Sequence, residues 1–433
     1  MRFKRWLFLL LLGTLILALG VYLGRHWLKQ AVIACKIQQM HIFTPPPLSL
    51  GESGWHRGRA DFQFYWDVAA LRLAREKRVE QLTPEYRPLL KEVNRHQAAG
   101  ESMTYSMHIY REIRWRLNFT SDLAATRARI ADLRASLTQP ALQQRAAEQQ
   151  AEDGSWGLGI NVWYLRLYYS VDPLADRPPE QALRYPLSFL DPINSPEKLT
   201  AKLDADLHND FTKTGSFNRE ELDETFSGLA RLIIGKKDLG YAFHPQLQPA
   251  LQEFVAHWQN PSTGCWGQWL VDREGRIWKM DDMAMTFHVI SDLKGRVDHL
   301  DQIAKRVLQL DAINFPAGVR FNDHYENHLN WDVVKIFRVA WPHLDEATRD
   351  QVRARISQML HWCLTQSYQP DGSFKVSDLD ETLVDACSYG DSFLSETGFY
   401  RREDRFWTDQ DFPEAEAMHQ LVSAKRKALG LNH

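Results

Sequence analysis

The chain is poor in the residues that usually fix a small scaffold. It has four cysteines in 433 residues, Cys35, Cys265, Cys363 and Cys387, and no CxxC. That spacing excludes a disulfide-stapled mini-domain and the common zinc sites. The last three leave room for one disulfide in an oxidising compartment, or for three buried free thiols. A charge of one sign is also lacking: 52 basic against 55 acidic side chains give a net charge of −3, with no basic stripe. Nucleic acid is therefore not an expected partner. Strand-type alternation of apolar and polar residues is almost absent beyond the first 57 residues, which excludes an all-β domain. No cofactor motif and no metal-ligand spacing is legible.

What is present begins with "MRFKRWLFLLLLGTLILALGVYLGRHWLKQ". Arg2, Lys4 and Arg5 precede Trp6–Leu23, which is apolar apart from glycines and Thr14 and is long enough to span a bilayer core as a helix. Trp6, Tyr22 and Trp27 fall where interfacial aromatics are expected. The apolar run is long for a signal peptide, and no A-x-A site follows it. "VIAC", Val32 to Cys35, resembles a lipobox, but Arg25 and Lys29 separate it from the apolar run. The expectation is a single-pass membrane anchor in residues 1–30, N-terminus inside, with the C-terminal domain outside the cytoplasm (periplasmic if bacterial). Residues 31–57, with "TPPPLSLGESG", read as a juxtamembrane segment and a Pro/Gly/Ser tether. The body is then 58–433.

In the body, apolar residues recur at helical spacing, and the helices follow a repeat. An amphipathic helix is followed by a glycine loop with an aromatic, then by an acidic start and a more apolar helix. The loops are "DGSWGLG", "GSFNREELDET", "GCWGQWLVDREGRIWKMDDMAM", "GVRFNDHYENHLNWD" and "GSFKVSDLDET", with "AAGESMTYSM" a weaker member. Apolar helices are expected to start near Met103, Ile160, Asp223, Asp282, Trp331 and Asp380. Six such helices alternating with amphipathic ones predict an all-α fold, an (α/α)6 toroid with an inner and an outer wall; an open solenoid of helix pairs is the alternative. "QNPSTGCW", "QAEDGSW" and "QPDGSF" resemble the QW repeat of terpenoid cyclases and protein prenyltransferases, whose toroid is shared by six-hairpin glycosidases and some polysaccharide lyases. In physical terms the glutamine bonds free backbone at a helix end, the glycine turns the chain, and the aromatic packs under the next hairpin.

In such a ring the inner-helix starts crowd one mouth. Acids there serve either as caps or as chemistry. For Asp223, Glu224 and Asp332 capping or dipole pairing is the plain reading. "DLDET" resembles the DxDD-T motif of class II terpene cyclases, which implies Asp380 as proton donor with Asp378 supporting it, although Glu381 replaces the final Asp. In "MDDMAMTFHVISD", Asp281 and His288 stand two turns apart on one face and suggest an acid/base pair, with Asp282 as a carboxylate partner for Asp380. "FNDHYENHLNWD" carries His324 and His328 beside Trp331, and Tyr389 follows the last inner helix. Trp266, Trp331 and Tyr389 are aromatics suited to a sugar ring. Three functions remain open: a glycoside hydrolase or polysaccharide lyase acting on a glycan outside the cytoplasm, a terpene-cyclase-like enzyme acting on an isoprenoid lipid, and a non-catalytic scaffold tethered to a membrane.

Overall fold

The computed structural model of the chain describes residues 24–48, 51–148, 150–178, 181–235, 239–377, 382–429 and 431. The apolar run Trp6–Leu23 and the DLDET residues Asp378, Asp380 and Glu381 lie outside the described residues. The described chain is mostly helical, with strands confined to four short segments, β1 (Phe43–Thr44), β2 (His208–Asn209), β3 (Trp269–Val271) and β4 (Ile277–Met280). It divides into two compact units.

The first unit holds the chain up to Ala147 together with Asp210–Phe217 and Leu270–Trp278. Helix α1 spans residues 24–39. Its apolar stripe Ala34 and Ile37 is buried, and Gln30 Nε2 donates to the Trp66 carbonyl at 3.1 Å. The expected boundary between anchor and tether at residues 30 and 31 therefore falls inside a packed helix. Helix α2 (Gly54–Ala98) starts at Ser53, whose side chain caps the His56 N–H, and runs through Pro84 and Pro88. Helices α3 (Thr104–Phe119) and α4 (Leu123–Ser136) pack with it around Leu82, Val93, Ile109, Ile113 and Leu133, and α4 leads into α5 (Pro140–Glu148). Buried Glu112 accepts from Arg116 at 3.0 Å and pairs with Arg129 at 3.1 Å. The one-turn helix α8 (Phe211–Thr214) and the tip of the β3–β4 hairpin belong here too. Trp278 stacks on Phe64 at 4.0 Å with the rings nearly parallel.

The second unit is two-layered. Its inner helices are α6 (Trp163–Asp176), α9 (Arg219–Ala230), α11 (Met283–Asp292), α13 (Asn327–Ala340) and α15 (Leu383–Glu396). Each packs on the next in chain order, α6 on α9, α9 on α11, α11 on α13 and α13 on α15. The outer helices α7 (Pro196–Leu207), α10 (Leu247–Trp258), α12 (Leu300–Gln309), α14 (Glu346–Trp362) and α16 (Ala415–Ala428) alternate with them. Five of the six expected inner helices thus share this unit. The sixth, α3, belongs to the first unit.

The glycine loops are built as their residues suggest. Gly154, Gly264 and Gly372 all have φ near +80°, a conformation that disfavours any residue with a Cβ. Gln150 Nε2 donates to the Gly154 carbonyl at 2.8 Å and Gln259 Nε2 to that of Gly264 at 2.9 Å. The same side chains reach the Tyr185 and Asp298 carbonyls, so each ties its loop to a second, distant loop. In the third loop Gln369 turns instead to the Ser367 and Tyr368 carbonyls. Phe374 packs on the bare backbone of Gly390, where a Cβ would lie 2.4 Å from the ring. The loop aromatic therefore sets how closely the loop seats on α15.

Candidate active site

Four inner helices of the second unit bring one polar network together. Asp282 caps α11: its carboxylate accepts the Met285 N–H at 3.1 Å. Arg219, in the first turn of α9, grips the same carboxylate through Nε at 2.5 Å and Nη2 at 3.0 Å. Nη2 also meets Asp223, one turn further along α9, at 3.3 Å. The other oxygen of Asp223 bonds His288 Nδ1 at 2.7 Å. Asp282 and His288 thus belong to one site, joined through Arg219 and Asp223.

The partner of His288 differs from the expectation. Helical spacing offers Asp281, but the carboxylate of Asp281 turns outward and takes Thr263 Oγ1 at 2.7 Å and Arg306 Nε at 2.8 Å, tying the loop to α12. Asp281 is thereby a loop anchor. Asp223 is not a cap either. Helix α9 has no side-chain N-cap, and Asp223 lies buried one turn inside it.

Two residues of α13 complete the group. Asp332 is 4% exposed, and its Oδ1 has no hydrogen-bond partner among the described residues. His328, one turn earlier, stacks on Tyr389 of α15 with ring centroids 3.7 Å apart and planes 6° off parallel. Trp331 meets Tyr389 at 6.0 Å and Phe287 at 5.1 Å, the half-buried Trp331 and Tyr389 rings lying against buried Phe287 in a row. His288 keeps 27% of its side chain exposed, so the network is reached by solvent.

Burial and charge set the protonation states. Burial disfavours the His288 imidazolium, yet Asp223 beside it, with Glu224 and Asp332 in reach, raises its pKa to about 10. Burial also works against the Asp223 anion, but the His288 and Arg219 charges hold it below the usual carboxylate range. Asp332 goes the other way. Its burial, with the Asp223 charge adding and only His288 opposing, pushes its carboxyl well above that range. His328 is driven down to about 3 by burial and by the His288 charge. At neutral pH the site holds a charged Asp223–His288 pair and a neutral His328, with Asp332 shifted toward its protonated form.

These shifts have a sign in folding stability. His288 binds its proton more tightly folded than unfolded, so its contribution is full below about pH 6.5 and is lost as pH rises toward about 10. Asp332, raised in the same sense, also favours the folded state less as pH rises from the ordinary carboxylate range. Denaturant midpoints measured from pH 6 to 10 should fall in the wild type and fall less in His288→Gln. Parallel curves would show that the imidazolium is not held by the fold.

Of the other sequence candidates, Trp266 is 1% exposed and its indole N–H donates to the Val255 carbonyl of α10, which makes it a packing residue. His324 lies exposed in the loop before α13, bridged through its backbone to Phe321, and takes no part in the network. The residues missed as chemistry were Asp223 and Asp332, read as helix-start acids, and Arg219. Arg219 and Asp223 at i, i+4 were a legible pair; nothing in the sequence said that Asp332 Oδ1 is without a partner among the described residues. All four cysteines are free, with Cys35 exposed and the others buried. Among the described residues no group of three or more His, Cys, Asp or Glu side chains is arranged to hold a metal. Comparison of the chain with protein-family models, with curated proteins and with solved structures finds no match.

Proposed function

We propose that the concave inner face of the second unit is an acid–base active site that cleaves a glycan, on an α/α-toroid type of scaffold. The single observation that carries this is Asp332, a buried carboxyl whose Oδ1 has no hydrogen-bond partner among the described residues, pushed toward its protonated form beside a solvent-reached ion pair. A protonated carboxyl at neutral pH is the group that a glycosidic oxygen needs as it leaves. Glu224, half-buried on α9 and close enough for its charge to act on His288, is the second carboxylate of the pair. His288, fixed as an imidazolium, is not a base in this scheme; it offers positive charge to the anion that forms. Trp331 and Tyr389 supply faces for a sugar ring.

Asp380, the donor suggested by the DLDET resemblance, lies outside the described residues. Asp282 is unsuited to be the second carboxylate, since Arg219 and the Met285 N–H engage both of its oxygens. An isoprenoid cyclase would want a dry, apolar cavity; the partly exposed histidine and the charged groups here favour a hydrophilic substrate. In this reading Trp6–Leu23 anchors the chain in a membrane, with the body on the extracytoplasmic side. The test is release of reducing ends, or of unsaturated ends for a lyase, from a panel of polysaccharides by the full chain in detergent. No release from any of them, by a chain with native circular dichroism, would overturn the reading.

A further inference from the structure

We propose that the edge of the first unit formed by the start of α1 and the middle of α2 rests on the headgroups of an anionic phospholipid bilayer. The proposal depends on the reading of Trp6–Leu23 as a membrane anchor, and says in addition that the unit is docked on the surface rather than swung from a tether. Helix α1 follows that apolar run directly in the sequence and is clamped along α2. Lys29 pairs with Glu76 at 3.2 Å, Gln30 bonds the Trp66 carbonyl, and the Trp27 ring stacks on Trp66 at 5.1 Å. These contacts set the α2 turns around Glu76 beside the first turns of α1, so whatever surface the chain leaves at residue 24 also faces that part of α2.

The side chains at this edge suit one occupant. Trp27 and Leu28 are 58% and 66% exposed, and Phe62, which tilts against Trp66 at 5.9 Å, is 51% exposed. Large apolar groups held in water are costly unless something covers them. Exposed basic residues lie on the same two helices, Arg25 and Lys29 on α1 and Arg72, Arg75 and Lys77 on α2; Lys29 and Arg72 share Glu76 at 3.2 Å each, Arg75 Nε donates to Asn118 of α3 at 2.9 Å, and Glu80 is the other exposed acid. A tryptophan and a leucine at headgroup depth, with a basic excess on the same helices, are complementary to an anionic bilayer surface. A water-soluble protein partner would not need the match to fall where the apolar run begins. On the opposite side of that boundary, Cys35 lies seven residues beyond Leu28, about 10 Å further along the helix from the apolar run.

The full chain is reconstituted in vesicles of phosphatidylcholine, with or without phosphatidylglycerol. A nitroxide is placed at residue 28 in a Leu28→Cys, Cys35→Ser chain, and separately on native Cys35, the exposed thiol. With anionic lipid, the label at 28 should collide more with oxygen than with a water-soluble nickel chelate, and the label at 35 should do the reverse. Reversing Arg72, Arg75 and Lys77 to Glu should abolish the effect of phosphatidylglycerol on the label at 28; each basic side chain near such a surface changes occupancy about five-fold. Equal chelate access at 28 and 35 overturns the docking, and so does an unchanged lipid dependence in the triple variant. Flotation of the vesicles separates the two readings. A chain that does not float removes the anchor and the docking together, whereas one that floats with residue 28 in water removes the docking alone.

Discussion

Arg219→Ala should destabilise the second unit by about 3–5 kcal/mol, the usual cost of stripping one partner from a buried ion pair. The side chain is 15% exposed, and the carboxylates it serves are almost fully buried, Asp282 at 1% and Asp223 at 5%. Its loss strands the buried Asp282 carboxylate, while Asp223 keeps His288, and it unpins the N-cap of α11 from α9. A surface pair such as Arg353–Asp350 at 2.6 Å, with 36% and 70% exposure, is worth about 0–1 kcal/mol at most. Denaturation with hydrogen exchange on α9 and α11 reads the loss in the right place. Asp282→Asn in the same chain should recover part of it, because the stranded charge is removed while the acceptor oxygen for Met285 remains. A change under about 1 kcal/mol, or strict additivity of the two substitutions, would mean that the bridge does not organise the site.

Asp332→Asn should lower turnover about 10²- to 10⁴-fold, the range ascribed to a positioned general acid, and leave folding stability near or above the wild-type value. The two halves of this expectation come from one fact. The protonated carboxyl and the amide have nearly the same shape, so the buried site keeps its packing, but an amide has no acidic proton for a leaving oxygen. Wild-type turnover should fall on the alkaline side as Asp332 loses its proton, because burial places that loss well above the usual carboxylate range. The Asn variant should lose that limb. Glu224→Gln should lower turnover while keeping it. Full activity in Asp332→Asn would end the general-acid role, whatever the substrate.

Much of the helical plan was legible in the sequence because it is local. The starts expected near Ile160 and Asp282 match α6 at Trp163 and α11 at Met283, and those near Asp223 and Trp331 fall four residues inside α9 at Arg219 and α13 at Asn327. Glycine loops with an aromatic mark each boundary through backbone torsion and a single packing ring. The late reading of α9 and α13 has one cause. An acid near a helix start was taken as a cap, but Asp223 and Asp332 sit a turn inside and are buried. Helix α2 carries Pro84 and Pro88 within it; prolines argue against a helix interior, and packing by α3 and α4 carries it through.

The sequence by itself determined the all-α class, the alternation of apolar and amphipathic helices, the glutamine–glycine–aromatic loops and the apolar run at the N-terminus. These depend on the period of hydrophobic residues and on torsional preferences, which act over a few neighbours. Only the tertiary structure decided that His288 pairs with Asp223 instead of Asp281, that Arg219 joins α9 to α11, and that Asp332 is buried with a free oxygen. It also decided that residues 24–39 form a helix that bonds to α2. A charge finds its partner, and a carboxyl keeps or loses its proton, according to what surrounds it in space. His288 and Asp223 are 65 residues apart, and no local pattern encodes a contact at that distance.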